Sequence, residues 1–200
     1  MSRYTLHLVL VACLLITVVS LQFYLVYDVE RLKGSFEPPI YEAFMSQARE
    51  VSLEEFIHLA RSHHYELMLP TRLPKGLTLS TIYYKCCPLV AIVVYSARGV
   101  KDFRYSELAI EIAPNPYPLS EEYLLQLNRT SVDEYVIRVG KGYARISPKV
   151  EFGDEERRRI FGPHPMAIYW EGGLEYLISV LPPLTLEDLE YIVRGLAKAS

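Results

Sequence analysis

Apolar and polar positions divide the chain into two unlike parts. From Tyr4 to Tyr27 there is no charged residue, and the stretch LHLVLVACLLITVVSLQFYLVY is overwhelmingly apolar with no polar face. As a helix these 24 residues reach about 36 Å at ~1.5 Å per residue, against a hydrocarbon core of about 30 Å. Tyr4 stands at one end and Phe23, Tyr24 and Tyr27 at the other, where the two membrane interfaces favour aromatic rings. A core helix of that length normally keeps one polar face, so the pattern predicts a transmembrane anchor. Cleavage is the alternative. Val18-Val19-Ser20 carries small residues at signal-peptidase spacing, and Leu10-Val11-Ala12-Cys13 reads like a lipobox, yet the apolar run exceeds the ~7–15 residues of a signal peptide. Arg3 on one side and Arg31 and Lys33 on the other leave the positive-inside rule nearly balanced. A large C-terminal domain translocates regardless of so small a difference. With the sequon Asn128-Arg129-Thr130 as a candidate glycosylation site, the expected location is the cell membrane, single-pass, with the C-terminal domain outside the cytoplasm.

Beyond the span the periods change. Gly34 ends the anchor helix, and Ile40, Tyr41, Phe44 and Ala48 recur at near-helical spacing. Ser52-Leu53-Glu54-Glu55 is a capping box, in which hydroxyl and carboxylate each satisfy a free N–H at a helix start. Phe56, Leu59, Ala60 and His63 then share one helix face. From Leu67 the period is two. Strands are expected near 77–84, 89–97 and 105–113, then, after a short helix from Ser120 to Leu127, near 132–139, 142–151, 166–171 and 174–181. Gly140-Lys141-Gly142 and Gly172-Gly173 mark hairpin turns. Thr185 caps a last helix with Asp188 three residues on, and Leu186, Leu189, Ile192, Val193 and Leu196 form its apolar stripe. No helix of 10–15 residues alternates with the strands, so a parallel sheet is not expected. The predicted fold is α+β: an N-terminal transmembrane helix, then an antiparallel sheet of about seven strands with helices packed on one face. The expected divisions are an anchor with short flanks at 1–33, a juxtamembrane helical segment at 34–66 and the sheet domain at 67–200.

These residues carry a resemblance. Pro70-x-x-Leu73-Pro74-x-Gly76, a Gly140-Lys141-Gly142-x-Ala144 hairpin, Tyr169-Trp170-Glu171-x-Gly173-x-x-Tyr176-x-Ile178 and Leu184-Thr185-x-Glu187-Asp188-Leu189 together resemble the DUF4367 family over about residues 68–197. That family is similar to the outer-membrane lipoprotein-sorting proteins and to the extracytoplasmic domain of some anti-sigma factors. The resemblance implies a curved antiparallel sheet with helices against its concave face, and no catalytic residues. The charged segment Gly153–Pro165 and the pair Cys86-Cys87 depart from the family pattern. An anti-sigma role would need a cytoplasmic domain before the span, and three residues precede Tyr4.

Composition narrows the chemistry. A net charge of −3 and a pI near 6.0 give no electrostatic footprint for a nucleic-acid partner, and three cysteines do not make a disulfide scaffold. Sixteen Tyr against two Asn and three Gln fit a protein built for heat. His58, His63 and His64 do not project together from one helix and read as solvated helix-end residues, while His164, between Pro163 and Pro165, reads as a stiff loop residue. Cys86 and Cys87, if extended, point to opposite faces, which would place one in the core. Buried or free thiols, a vicinal disulfide and an intermolecular bridge are the readings for this pair, and CxxC redox chemistry is not supported. Cys13 lies within the span and pairs with neither easily. The acidic pairs Glu54-Glu55, Glu121-Glu122 and Glu187-Asp188 stand at helix starts, where carboxylates favour the dipole. Arg157–Arg159 follow three acids and read as a self-paired turn or as a contact for an anionic headgroup. Tyr83, Tyr84, Tyr95, Tyr105, Tyr135, Tyr143, Tyr169 and Tyr176 fall on expected strands, where they suit either packing or a binding groove.

The sequence therefore points to a non-catalytic interaction or sensory module with a membrane anchor and a protein partner, no metal or cofactor being expected. A binder of a lipid or other apolar ligand in the concave face is the alternative.

Overall fold

A computed structural model describes residues 44–115, 119–130, 133–150 and 162–199. The expected span at Tyr4–Tyr27 lies outside them, and among the described residues no helix is long and apolar enough to cross a membrane. Ala43–Ser200 forms one compact unit. Its elements are β1 (Arg49–Glu50), α1 (Leu53–Ser62), β2 (Met68–Pro70), β3 (Thr78–Lys85), β4 (Val90–Ser96), β5 (Leu108–Pro114), α2 (Glu121–Thr130), β6 (Tyr135–Val139), β7 (Gly142–Val150), β8 (His164–Glu171), β9 (Leu174–Val180), α3 (Leu186–Arg194) and β10 (Leu196–Lys198).

The class is α+β. Eight strands form one antiparallel sheet in the order β1-β3-β4-β5-β9-β8-β7-β6, and β2 pairs with β10 in a small second sheet. The seven strands expected from the alternating pattern are β3 to β9. The eighth is β1, whose two residues pair Arg49 with Tyr84 and Glu50 with Tyr83. It lies in the segment that near-helical spacing assigned to a juxtamembrane helix. Two residues of strand are too short to carry a period, and the same holds for the three-residue strands β2 and β10.

Two meanders make the large sheet. Strands β3, β4 and β5 run consecutively, and β6 to β9 return in reverse order until β9 meets β5 over Leu108↔Val180 to Pro114↔Leu174. Gly172 and Gly173 turn β8 into β9 with φ of 59° and 79°. Two consecutive positive φ values match a type I′ turn, whose twist suits a tight hairpin and which glycine enters without a Cβ clash.

Register aligns the apolar residues in rows across the sheet. Ile82, Val93, Ile110, Ile178, Ala167 and Ile146 form one row, and Tyr84, Ala91, Ile112, Tyr176, Tyr169 and Ala144 the next. Onto this face pack Phe56 and Ala60 of α1 and Leu189, Ile192 and Val193 of α3, all fully buried in one core with the rows. Burying a side chain of the Leu, Ile or Phe type stabilises by roughly 1.5–3 kcal/mol, so the stripe on α3 alone outweighs any propensity term. Both helices are fixed at their starts. Thr185 and Asp188 complete a capping box (Thr185 N–H to Asp188 Oδ2 2.8 Å, Asp188 N–H to Thr185 Oγ1 3.3 Å). Ser52 accepts the Glu55 N–H at 3.1 Å, while the Glu55 carboxylate pairs with Arg49 at 2.7 Å. Of the strand tyrosines, Tyr84, Tyr95, Tyr169 and Tyr176 are core residues. Tyr105 lies in the loop before β5, 57% exposed.

Tyr176 also ties the small sheet to the large one. Its hydroxyl accepts the Met68 N–H at 3.0 Å and donates to the Glu66 carbonyl at 3.4 Å, and burial pushes its pKa up to about 12. Removing the hydroxyl orphans a buried N–H, which costs about 1–3 kcal/mol. The Tyr176→Phe variant is therefore expected to lose about 1–2 kcal/mol of stability by denaturant titration, and unchanged stability would show that the tie contributes nothing.

Candidate functional site

Among the titratable groups of the described residues, several carboxylates are held by hydrogen bonds or ion pairs, and one cluster gathers potential metal ligands. Tyr135 donates to Glu190 at 2.5 Å, and burial with that carboxylate raises the phenol. Glu175 accepts from Trp170 Nε1 and Asn115 Nδ2, each at 2.7 Å. Glu134 accepts from Arg145 Nη2 at 2.5 Å and from Ser147 at 2.8 Å. Burial would raise the Glu107 carboxyl, but Ser96 and Arg98, the latter at 2.9 Å, hold it below the ordinary value. A shallow cavity of about 250 Å³ beside α1 is lined by Ile57, Arg61, Glu66, Leu67, Lys198 and Ala199. Its charges are engaged as well: Lys198 pairs with Glu66, and Arg61 Nη2 donates to the Ala199 carbonyl at 3.3 Å.

The cluster is His63, Cys86 and Cys87, whose ligand atoms all lie within 4.8 Å of one another. Cys86 and Cys87 occupy the turn Cys86–Leu89 between β3 and β4 and are both exposed. The expectation that they would be extended, with one in the core, is corrected: turn geometry lets consecutive side chains lie on the same side, and neither is buried. The two sulfurs stand at bonding distance from each other. His63 Nε2 stands 3.6 Å from Cys86 Sγ, so His63 is not merely a solvated helix-end residue.

Local geometry accounts for this meeting. Residues seven apart on a helix return to nearly the same face, and alternate residues of a strand share a face. Phe56 of α1 packs on Tyr84 with ring centroids 6.2 Å apart, which brings the C-cap His63, seven residues on, beside the turn that follows β3. The end of α1 is held firmly. The N–H of Tyr65 bonds to the Ala60 carbonyl at 3.0 Å and that of His64 to the Arg61 carbonyl at 2.9 Å, the paired bonds of a Schellman turn with His64 in the left-handed position at φ 63°. That position costs a residue with a Cβ about 1–2 kcal/mol, although histidine tolerates it better than most. His64→Gly relieves the strain and adds chain entropy to the unfolded state, so a net gain of about 0.5 kcal/mol is expected. Denaturant melts would contradict the turn assignment if the variant lost stability.

His164 is corrected too: it opens β8, 2% exposed, with Nδ1 3.3 Å from the Gly162 carbonyl. Burial lowers its pKa below the ordinary 6.5. The folded state thus favours the neutral ring, and the stability this contributes is complete above pH 6.5 and is lost as pH falls toward the folded pKa. Melting temperature followed from pH 7 to pH 5 should therefore fall less for His164→Gln than for the parent chain. Equal slopes would show that His164 does not drive the loss.

Asn128 lies in the last turn of α2, and the rest of its sequon ends that helix. Arg157–Arg159 lie outside the described residues. Comparison of the chain with known protein families, curated proteins and solved structures finds no match.

Proposed function

We propose that the chain is a single-pass membrane protein whose C-terminal unit, outside the cytoplasm, is a non-catalytic interaction or sensory module. The observation that carries this reading is the charge-free apolar stretch from Tyr4 to Tyr27, followed by a compact unit from Ala43 to Ser200. The unit's own side chains fill its core. Phe56, Leu189, Ile192 and Val193 occupy the sheet face that an apolar ligand would need, which favours an interaction module over a lipid carrier. Several charged groups of the unit are matched with one another: Arg98 with Glu107, Arg145 with Glu134, Lys101 with Glu50. The resemblance of residues 68–197 to the DUF4367 family supports an extracytoplasmic position.

Membrane fractionation of the full chain with a C-terminal epitope tests the reading. The protein should stay in the membrane pellet after alkaline carbonate washing, and protease added to intact spheroplasts should remove the epitope. Release by carbonate would refute the anchor; protection from protease would refute the orientation.

A further inference from the structure

We propose that His63, Cys86 and Cys87 form a redox-gated site for a thiophilic metal cation, closed as a disulfide when oxidised and able to take up the cation when reduced. The inference stands on the described unit alone and is independent of the membrane reading. Its first support is distance. Two ligands on one tetrahedral zinc, with bonds of ~2.3 Å to sulfur and ~2.05 Å to nitrogen, lie about 3.6 Å apart. Cys86 Sγ and His63 Nε2 stand at 3.6 Å. Once the sulfur–sulfur bond is broken, Cys87 Sγ needs to move only to about 3.8 Å from its neighbour to join the same ion, and the whole donor set already lies within 4.8 Å.

Donor chemistry selects the ion. Two thiolates and an imidazole prefer Zn²⁺ or Cu⁺ to the hard cations Mg²⁺ and Ca²⁺. Three protein ligands leave a fourth position, and both cysteines face solvent, so water or a partner's side chain can fill it. The scaffold brings the donors near one another before any ion arrives: the Schellman turn holds the backbone at His63, and Cys86 directly follows Lys85, the last residue of β3.

A dithiol or phosphine reductant gives two electrons to the Cys86–Cys87 bond, which breaks, and each sulfur takes up a proton. The dithiol leaves as a disulfide, the phosphine as its oxide with oxygen from water. On metal binding both thiol protons pass to solvent and neutral His63 donates its Nε2 lone pair, so M²⁺ and two R–SH give M(SR)₂ and two H⁺.

The test uses the full chain in detergent with Cys13→Ser, so that only this pair contributes thiols, titrated with Co²⁺ under argon. After phosphine reduction, thiolate-to-cobalt charge-transfer absorption should appear, saturate at one equivalent and vanish on adding Zn²⁺. The oxidised chain should show none. His63→Ala should weaken Co²⁺ binding at least tenfold, about the minimum expected for loss of a ligand when supporting groups alone are worth 10–100-fold. Circular dichroism unchanged from the parent would show that this variant is folded, and Cys87→Ser, at an exposed turn position, supplies a second variant in which saturable binding should be lost. The proposal is overturned if the reduced chain shows no charge-transfer band, if oxidised and reduced chains bind alike, or if folded His63→Ala binds as tightly as the parent.

Discussion

The pairing of β5 with β9 is the constraint on which this architecture depends. It runs from Leu108↔Val180 to Pro114↔Leu174 and is the junction between two meanders. Each meander can form from local hairpins; α3 lies against β6, β8 and β9 and α1 against β3, and the junction joins these two halves into one core. The junction joins segments about sixty to seventy residues apart, so loop closure must precede its reward, a feature that slows folding in sheet proteins. Its register also decides composition. A slip of one residue would turn the apolar set of one strand, Leu108, Ile110 and Ile112 or Tyr176, Ile178 and Val180, away from the core that the other still faces, and in each strand these core residues recur at every second position.

Helix α1 converts that core into local chemistry. Phe56 and Ala60 seat it on the sheet, and Phe56 stacks at a tilt on Tyr84. The phase of the helix is then set, and with it the position of His63 one heptad further on. The phase of β3 is set by its pairing with β4, from Thr78↔Ser96 to Lys85↔Val90. No contact between His63 and Cys86 is needed to bring them together; hydrophobic packing along the preceding residues is sufficient. The cluster is therefore built by the core but lies outside it.

How much of this was legible follows from the range of each interaction. The Thr185–Asp188 box, the glycine turns and the seven main strands rest on neighbours within a few residues, and the chain carries their signals directly. Strands β1, β2 and β10 hold two or three residues each and exist because a partner already stands beside them, so no period announces them. His164 looked like a loop residue because prolines flank it, yet β8 begins with it and its side chain is buried. The helix face of Phe56, Leu59, Ala60 and His63 was readable, and so was the cysteine pair. Their meeting was not, because it depends on which strand α1 covers. Sequence spacing compares histidines along one helix; it carries no information about a sulfur on a different element.

The position of Cys86 and Cys87 decides how the redox-gated site proposed above would couple to the fold. A redox centre within the apolar rows would couple every change of state to the stability of the whole sheet and would be hidden from reductants. Here both sulfurs lie on an exposed turn beyond the end of β3, whereas Tyr84 and Leu89 on either side remain buried. In the proposed site, reduction, reoxidation and ligand exchange would therefore take place beside the core without disrupting its packing. What changes is the charge and coordination of one surface corner where α1 ends and the β3–β4 turn begins. A partner that reads surface chemistry would sense that change while the scaffold presenting it stays the same.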